Sequence, residues 1–170
     1  MPIVFERPIP AGWLYPCTTD DIREQLSRFP IRDPEGLRAV GLVPSTRRDC
    51  SLYGRYITGT KPVIHIRSLD QSLAFKQSPH AERGNLEHRL SVELLFGMTL
   101  ERSGSRWISR WKAADWRRFV LEHVLPHEVG HHVQLQQRLR DDHCGSIQRS
   151  TEEQFAEAYA CRHWRSHLTR

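Results

Sequence analysis

The stretch Pro126-His127-Glu128-Val129-Gly130-His131 constrains this chain more than any other. Apolar residues recur around it at helical spacing, with Phe119, Val120, Val124 and Leu125 before it and Val133 and Leu135 after it. It therefore sits on a partly buried helix, expected over about residues 113–139. Residues four apart share one helix face, so His127 and His131 can each turn a ring nitrogen towards the same metal ion. Glu128 follows the first histidine and can reach a water held there. Zinc lowers the pKa of a bound water to about 7, and a neighbouring carboxylate can take its proton as it attacks a carbonyl. The pattern reads as the site of a zinc peptidase. Two further residues carry structural demands. Pro126 removes the backbone bond to Glu122, so the helix must kink there or consist of two abutting helices. Gly130 costs about 1 kcal/mol relative to Ala inside a helix, which calls for a reason such as the close approach of another backbone.

HExxH alone is a short motif, and a chain with ten histidines can produce it by accident. A catalytic zinc site needs a third protein ligand and an open position, whereas four ligands close a structural one. The segment Ser150-Thr-Glu-Glu153-Gln-Phe-Ala-Glu157-Ala-Tyr-Ala160 reads as part of a final helix over about 151–167, with Glu153 and Glu157 one turn apart on one face. The spacing Ser150-x-x-Glu153 is also that of a capping box, in which Glu153 would bond back to the Ser150 amide and Glu157 would be left as the ligand. Asp141, Asp142 and His143 could supply an alternative third ligand, although acids in loops more often form turns. Residues 135–137 lack the Gly and His that the metzincin pattern requires. His132 is about 100° round the helix from its ligand neighbour and is expected to pack or face solvent. His163 and His167 are expected at the surface.

The pair of motifs resembles the gluzincins, the thermolysin-like zincins whose second helix carries Glu-x-x-x-Asp/Glu. Glu153-Gln-Phe-Ala-Glu157-Ala-Tyr looks like the corresponding segment of anthrax lethal factor-type peptidases. It is also similar to the Glu-x-x-Ala-x-x-Phe-Ala pattern of minimal zincins of the ImmA/IrrE type. The resemblance implies that Glu153 is the third ligand and that Glu157 supports a metal-bound histidine through a hydrogen bond, fixing its tautomer. It implies a Zn2+ cofactor and a zinc-dependent endopeptidase with Glu128 as general base. Two short motifs in the C-terminal third of the chain carry it. One departure concerns the group that stabilises the oxyanion: lethal factor-type enzymes have a tyrosine seven residues before the third ligand, where this chain has Ser146. The candidates for a transition-state donor are His143, Tyr53 and Tyr56, against ordinary roles as a loop histidine and strand-packing tyrosines. The competing function is a non-catalytic zinc-binding regulatory module, contacting nucleic acid through its arginines. Glu128 favours the enzyme, because a structural site needs only ligands.

Length and composition fit one soluble domain spanning 1–170. No apolar run approaches the roughly 20 residues of a membrane span, and the N-terminus lacks the pattern of a secretory signal. The expected location is therefore cytoplasmic, with Cys17, Cys50, Cys144 and Cys161 reduced. The formal charge is +5, but the arginines are scattered, which disfavours nucleic acid as the partner and leaves a peptide or protein substrate.

The expected architecture is α+β and zincin-like. A proline-rich extended start leads to a helix capped by Thr19 or Asp20 and running to about Arg28, with Ile22, Leu26 and Phe29 as its apolar face. Strands are expected at Leu37–Val43, Leu52–Thr58 and Pro62–Arg67, then an exposed loop over 71–85. A hairpin follows from Leu90 to Lys112 around Ser103-Gly104-Ser105, with a helix over 86–95 as the competing reading of its first half. The small twisted mixed sheet packs on the HExxH helix, and the C-terminal glutamate-bearing helix closes the site. Pro62–Arg67 is the candidate sheet edge for binding substrate by main-chain pairing, because it is the clearest short strand upstream of the metal helix and begins with proline; an ordinary interior strand is the equal alternative.

Overall fold

A mixed four-stranded sheet forms one layer of the fold, in the order β1 (Ile3–Glu6), β3 (Ala39–Val43), β5 (Val63–Arg67), β4 (Gly54–Ile57). The first three strands run parallel and β4 runs antiparallel to β5. The computed structural model describes residues 1–45, 53–70, 72–76, 83–84, 87, 90–141 and 149–168. β3 is buried along its whole length, as befits a strand between two parallel neighbours. Val40, Leu42, Ile64 and Ile66 are fully buried in the core, each contributing about 1.5–3 kcal/mol by leaving water.

Helix α1 (Thr19–Ser27) joins β1 to β3 and buries Ile22 and Leu26, with Phe29 just beyond its end. Its N-cap is Thr18, one residue earlier than expected. The Thr18 hydroxyl accepts from the Asp21 amide, and the Asp21 carboxylate accepts from the Thr18 amide.

The strand expected at the sheet edge is an interior strand. Val63–Arg67 pairs with β3 on one side and β4 on the other. Pro62 is tolerated because it precedes the first paired residue, where no ladder donor is needed; its carbonyl accepts from the Arg38 amide at 2.9 Å. The edge beside the long helix is β4, which has no strand on its other side among the described residues.

A second departure lies at residues 90–98. Helix α2 (Ser91–Leu95) occupies the first half of the expected hairpin, and Gly97, at φ +99°, ends it. The hairpin proper is β8 (Thr99–Ser103) and β9 (Arg106–Arg110), turning through Gly104 at φ +59°. Part of the expected 71–85 loop, β7 (Ala74–Lys76), pairs with β9 to complete a three-stranded sheet. β2 (Trp13–Leu14) and β6 (Leu69–Asp70) form a short two-stranded ladder.

The long helical run has three parts: α3 (Ala113–Phe119), a π-helical turn (Val120–Val124) and α4 (Leu125–Arg140). The wide turn lies where Pro126 withholds its donor, and the Leu125 amide reaches back five residues to the Val120 carbonyl. The final helix α5 (Arg149–Leu168) packs along α4. Gly130 makes this close packing possible: a Cβ there would lie 2.9 Å from the Ala156 Cα and 3.0 Å from the Tyr159 Cβ. No helix of the described residues is long and apolar enough to cross a membrane.

Candidate metal centre

His127 and His131, one turn apart on α4, face Glu153 on α5. The two Nε2 atoms are 3.2 Å apart, and Glu153 Oε2 lies 3.4 Å from that of His127 and 3.7 Å from that of His131. The three donor atoms form a compact triangle that could hold one metal ion. The histidines are largely buried, while the Glu153 side chain is about half exposed, so the triangle opens towards solvent on the glutamate's side. Ser150 already lies inside α5, which begins at Arg149. It is not the N-cap, so the capping-box geometry that would occupy Glu153 is not formed.

The other nitrogen of His127, Nδ1, points away from the triangle and is buried. Glu157 Oε2 approaches it to 3.4 Å, off hydrogen-bond geometry. The same oxygen is 3.4 Å from Nε2 of His123, one turn before His127. Together these three residues make a second His/Glu group that shares His127 with the first. His123 is a member of the site that the motifs alone do not single out. Its signal was the spacing 123-127-131, which extends the HExxH face back by one turn. Phe119 stacks on its ring at 5.4 Å, so an apolar cluster holds one face while Glu157 holds the polar edge. The polar edges of His123 and His127, both 3.4 Å away, drive the Glu157 pKa far below the carboxylate range. Burial would depress the pKa of His127, but Glu157, Glu128 and Glu153 outweigh it and raise the ring above its ordinary value. Burial and the neighbouring His127 charge lower that of His131.

Glu128 is buried on the face of α4 that meets β4. Burial pushes its carboxyl up to about 7, against the opposing pull of His127 and of a hydrogen bond from the Tyr56 amide. Gly54 lets the strand come this close: a Cβ there would be 2.8 Å from Glu128 Oε1 and 2.7 Å from Val124 Cγ1.

The remaining candidates separate clearly. Tyr56 lies over His131, its ring nearly parallel at 6.4 Å, and its hydroxyl is 3.0 Å from Nδ1 of His132. His132 is buried, and its Nε2 is 2.8 Å from the Glu35 carbonyl. A carbonyl can only accept, so Nε2 carries the proton and Nδ1 accepts from Tyr56. His132 thus ties the edge strand to the segment after α1. Tyr53 packs edge-on against Trp111 and Phe119 in the apolar cluster, at 6.2 and 5.0 Å. His143 and Asp142 lie outside the described residues. His163 stacks on Phe29 at 4.2 Å and contacts Gln25, away from the histidine pair. Cys17 and Cys161 are free thiols, the latter 3.6 Å from Glu157.

Comparison with family models, curated proteins and solved structures returns no match to this chain. The functional reading therefore rests on the geometry of the site.

Proposed function

We propose that the protein is a zinc-dependent endopeptidase, with His127, His131 and Glu153 as the metal ligands and Glu128 as the general base. The observation that carries this reading is the donor triangle with edges of 3.2, 3.4 and 3.7 Å. Ligand atoms about 2.0–2.1 Å from a tetrahedral zinc lie about 3.3 Å apart, so this set fits with little adjustment. Two imidazoles and one carboxylate also suit zinc chemically, and three ligands leave a position open. Bound there, zinc would polarise the scissile carbonyl and bring the pKa of its water to about 7.

The chain's own residues supply the rest. Glu157 orients the His127 ring from Nδ1 and leaves Nε2 as the ligating atom. Glu128 accepts a proton from the attacking water and returns it to the leaving amine. Its carboxyl stands at about 7 without a cation; a divalent charge alongside would lower it and keep the base ionised at neutral pH. The edge of β4, unpaired among the described residues, would hold an extended substrate by main-chain pairing in place of the edge expected at Pro62–Arg67, through groups other than the Tyr56 amide that Glu128 holds. The alternative, a non-catalytic zinc module contacting nucleic acid, leaves the buried Glu128 without a task.

The test pairs metal content with turnover on a peptide library. Wild-type protein should hold one zinc per chain and cut peptides. Glu128→Gln should keep the metal and lose hydrolysis, since the amide preserves shape but cannot take a proton. His131→Ala should lose the zinc. Full zinc retention by His131→Ala, or unchanged turnover by Glu128→Gln, would overturn the reading.

A further inference from the structure

The proposed peptidase places a substrate strand on the free edge of β4, and the present inference rests on that reading. The register of β4 fixes which way each edge residue faces. The Tyr53 carbonyl, just before the strand, accepts from the Arg67 amide at 2.9 Å. Main-chain groups alternate along an antiparallel strand, so Tyr53, Arg55 and Ile57 turn theirs towards β5. Gly54 and Tyr56 turn theirs to the open side, and from that side the Tyr56 amide reaches Glu128. Side chains alternate as well. Tyr56 points inward over His131, while Arg55 is exposed on the opposite, outer face of the sheet.

That outer face is cationic. Arg55 pairs across the sheet with His65, which pairs with Gly41, which pairs with Phe5. The Phe5 ring lies flat over Gly41, where a Cβ would meet it at 2.3 Å, and the Arg7 guanidinium is 5.9 Å from the ring centre. The charges of Arg67, Arg7 and Arg55 all act on His65, and among the described residues no carboxylate does. Arg67 also donates to the Pro44 carbonyl at 3.1 Å. None of the ion pairs among the described residues involves Arg55.

We propose that Arg55 is a specificity-determining residue that selects an acidic side chain at the substrate position paired with it. Directly opposed residues on neighbouring strands point to the same face, with Cβ atoms about 4.5–5.5 Å apart. A substrate residue registered on Arg55 must therefore project onto the outer face, beside the Arg55 guanidinium and into the field of Arg67 and Arg7. Aspartate or glutamate meets attraction there, and lysine or arginine meets repulsion. The substrate class is an extended protein segment carrying an acidic residue at one fixed distance from the scissile bond.

The experiment uses zinc-loaded protein and a peptide library whose products are sequenced. Wild type should enrich Asp and Glu at one position. Arg55→Glu should reverse the preference to Lys and Arg at that same position, a swing of roughly tenfold in the acid-to-base ratio, with other positions unchanged. Arg55→Gln should flatten it. A second arm measures binding of two peptides, identical but for Asp or Lys at that position, to zinc-loaded Glu128→Gln protein, with and without Arg55→Glu. The acidic peptide should bind more tightly only where Arg55 is present, and added salt should shrink the difference. Cleavage whose preferences ignore Arg55→Glu overturns the inference while leaving the peptidase reading intact. A library that wild type leaves uncut counts against the peptidase reading; the binding arm then decides on Arg55, and equal affinities for a panel of acidic and basic peptide pairs overturn the inference.

Discussion

Gly130 faces Ala156 across the α4–α5 interface so closely that a Cβ on the glycine would lie 2.9 Å from the Ala156 Cα and 3.2 Å from its carbonyl oxygen. The neighbour is helix backbone and cannot swing aside as a side chain would. Gly130→Ala would gain up to about 1 kcal/mol of helix propensity and lose about 1–3 kcal/mol to overpacking. We expect a net loss of about 1–2 kcal/mol in urea unfolding of the metal-free protein. Zinc affinity should fall as well, because α5 carries Glu153 and Glu157. A variant as stable as wild type would mean that the helices separate at little cost.

The two glutamates should respond differently to truncation. Glu153 belongs to the donor triangle, whereas Glu157 meets the far nitrogen of His127, the ring of His123 and the Cys161 thiol. Glu153→Ala should lose zinc almost completely. Glu157→Ala should weaken affinity by about 10–100-fold, the usual scale for a partner that orients a ligand. His123→Phe keeps the stacking with Phe119 but removes one contact to Glu157, and should give a smaller loss than Glu157→Ala. Competition with graded chelators ranks all three. The opposite order for the two glutamates would make Glu157 the ligand.

What the sequence revealed, and what it hid, follows the range of the interactions involved. His127, His131, Glu153 and Glu157 were visible because each pair sits one helical turn apart, a local regularity. The need for a close neighbour at Gly130 was legible for the same reason: a helical glycine is costly unless something occupies its missing side chain. The identity of the edge strand was not local. Val63–Arg67 looks like a strand from its β-branched residues, but only pairing across the sheet shows that it is interior. Gly54-Arg-Tyr-Ile reads as a weak strand; its glycine is explained only by Glu128 and Val124 pressing against it from another element. His123 escaped notice because its partner, Glu157, comes from a different helix. At residues 90–98 the apolar residues alternate as in a strand, yet Gly97 and the main-chain bonds of Leu94 and Phe96 to Leu90 and Val92 close a helical turn.

Tyr56 and His132 allow a sharp test of the oxyanion question. The Tyr56 hydroxyl has a single proton, and it is directed at Nδ1 of His132. Tyr56→Phe should leave that nitrogen without its donor and cost about 1 kcal/mol in unfolding experiments. If the proton stays with His132 during turnover, kcat should fall by less than tenfold. A loss of about 100–1,000-fold with zinc content unchanged would instead mean that the phenol leaves His132 and donates to the developing oxyanion.

Acid stability should depend on the pair Asp21 and Arg117, which joins α1 to α3. Arg117 Nε donates to Asp21 Oδ2 at 3.1 Å, and Nη2 contacts the other carboxylate oxygen. This hydrogen bonding, opposed in part by burial and helped by Thr18, lowers the Asp21 pKa to about 2. The folded value lies below that of the unfolded chain, about 3.9. The contribution is therefore complete above pH 4 and disappears as the pH falls through about 2. Unscreened, the difference would be worth roughly 2.5 kcal/mol, but the arginine is half exposed, and solvent screening reduces this to about 1 kcal/mol. Asp21→Asn should lower stability by that amount at pH 7 and flatten its decline between pH 4 and 2, measured by urea unfolding of the metal-free protein. The choice of metal-free protein matters, because protonation of the candidate metal ligands would otherwise dominate the acid limb of a metal-loaded protein. If Asp21→Asn left the slope in that window unchanged, other carboxylates would have to account for it.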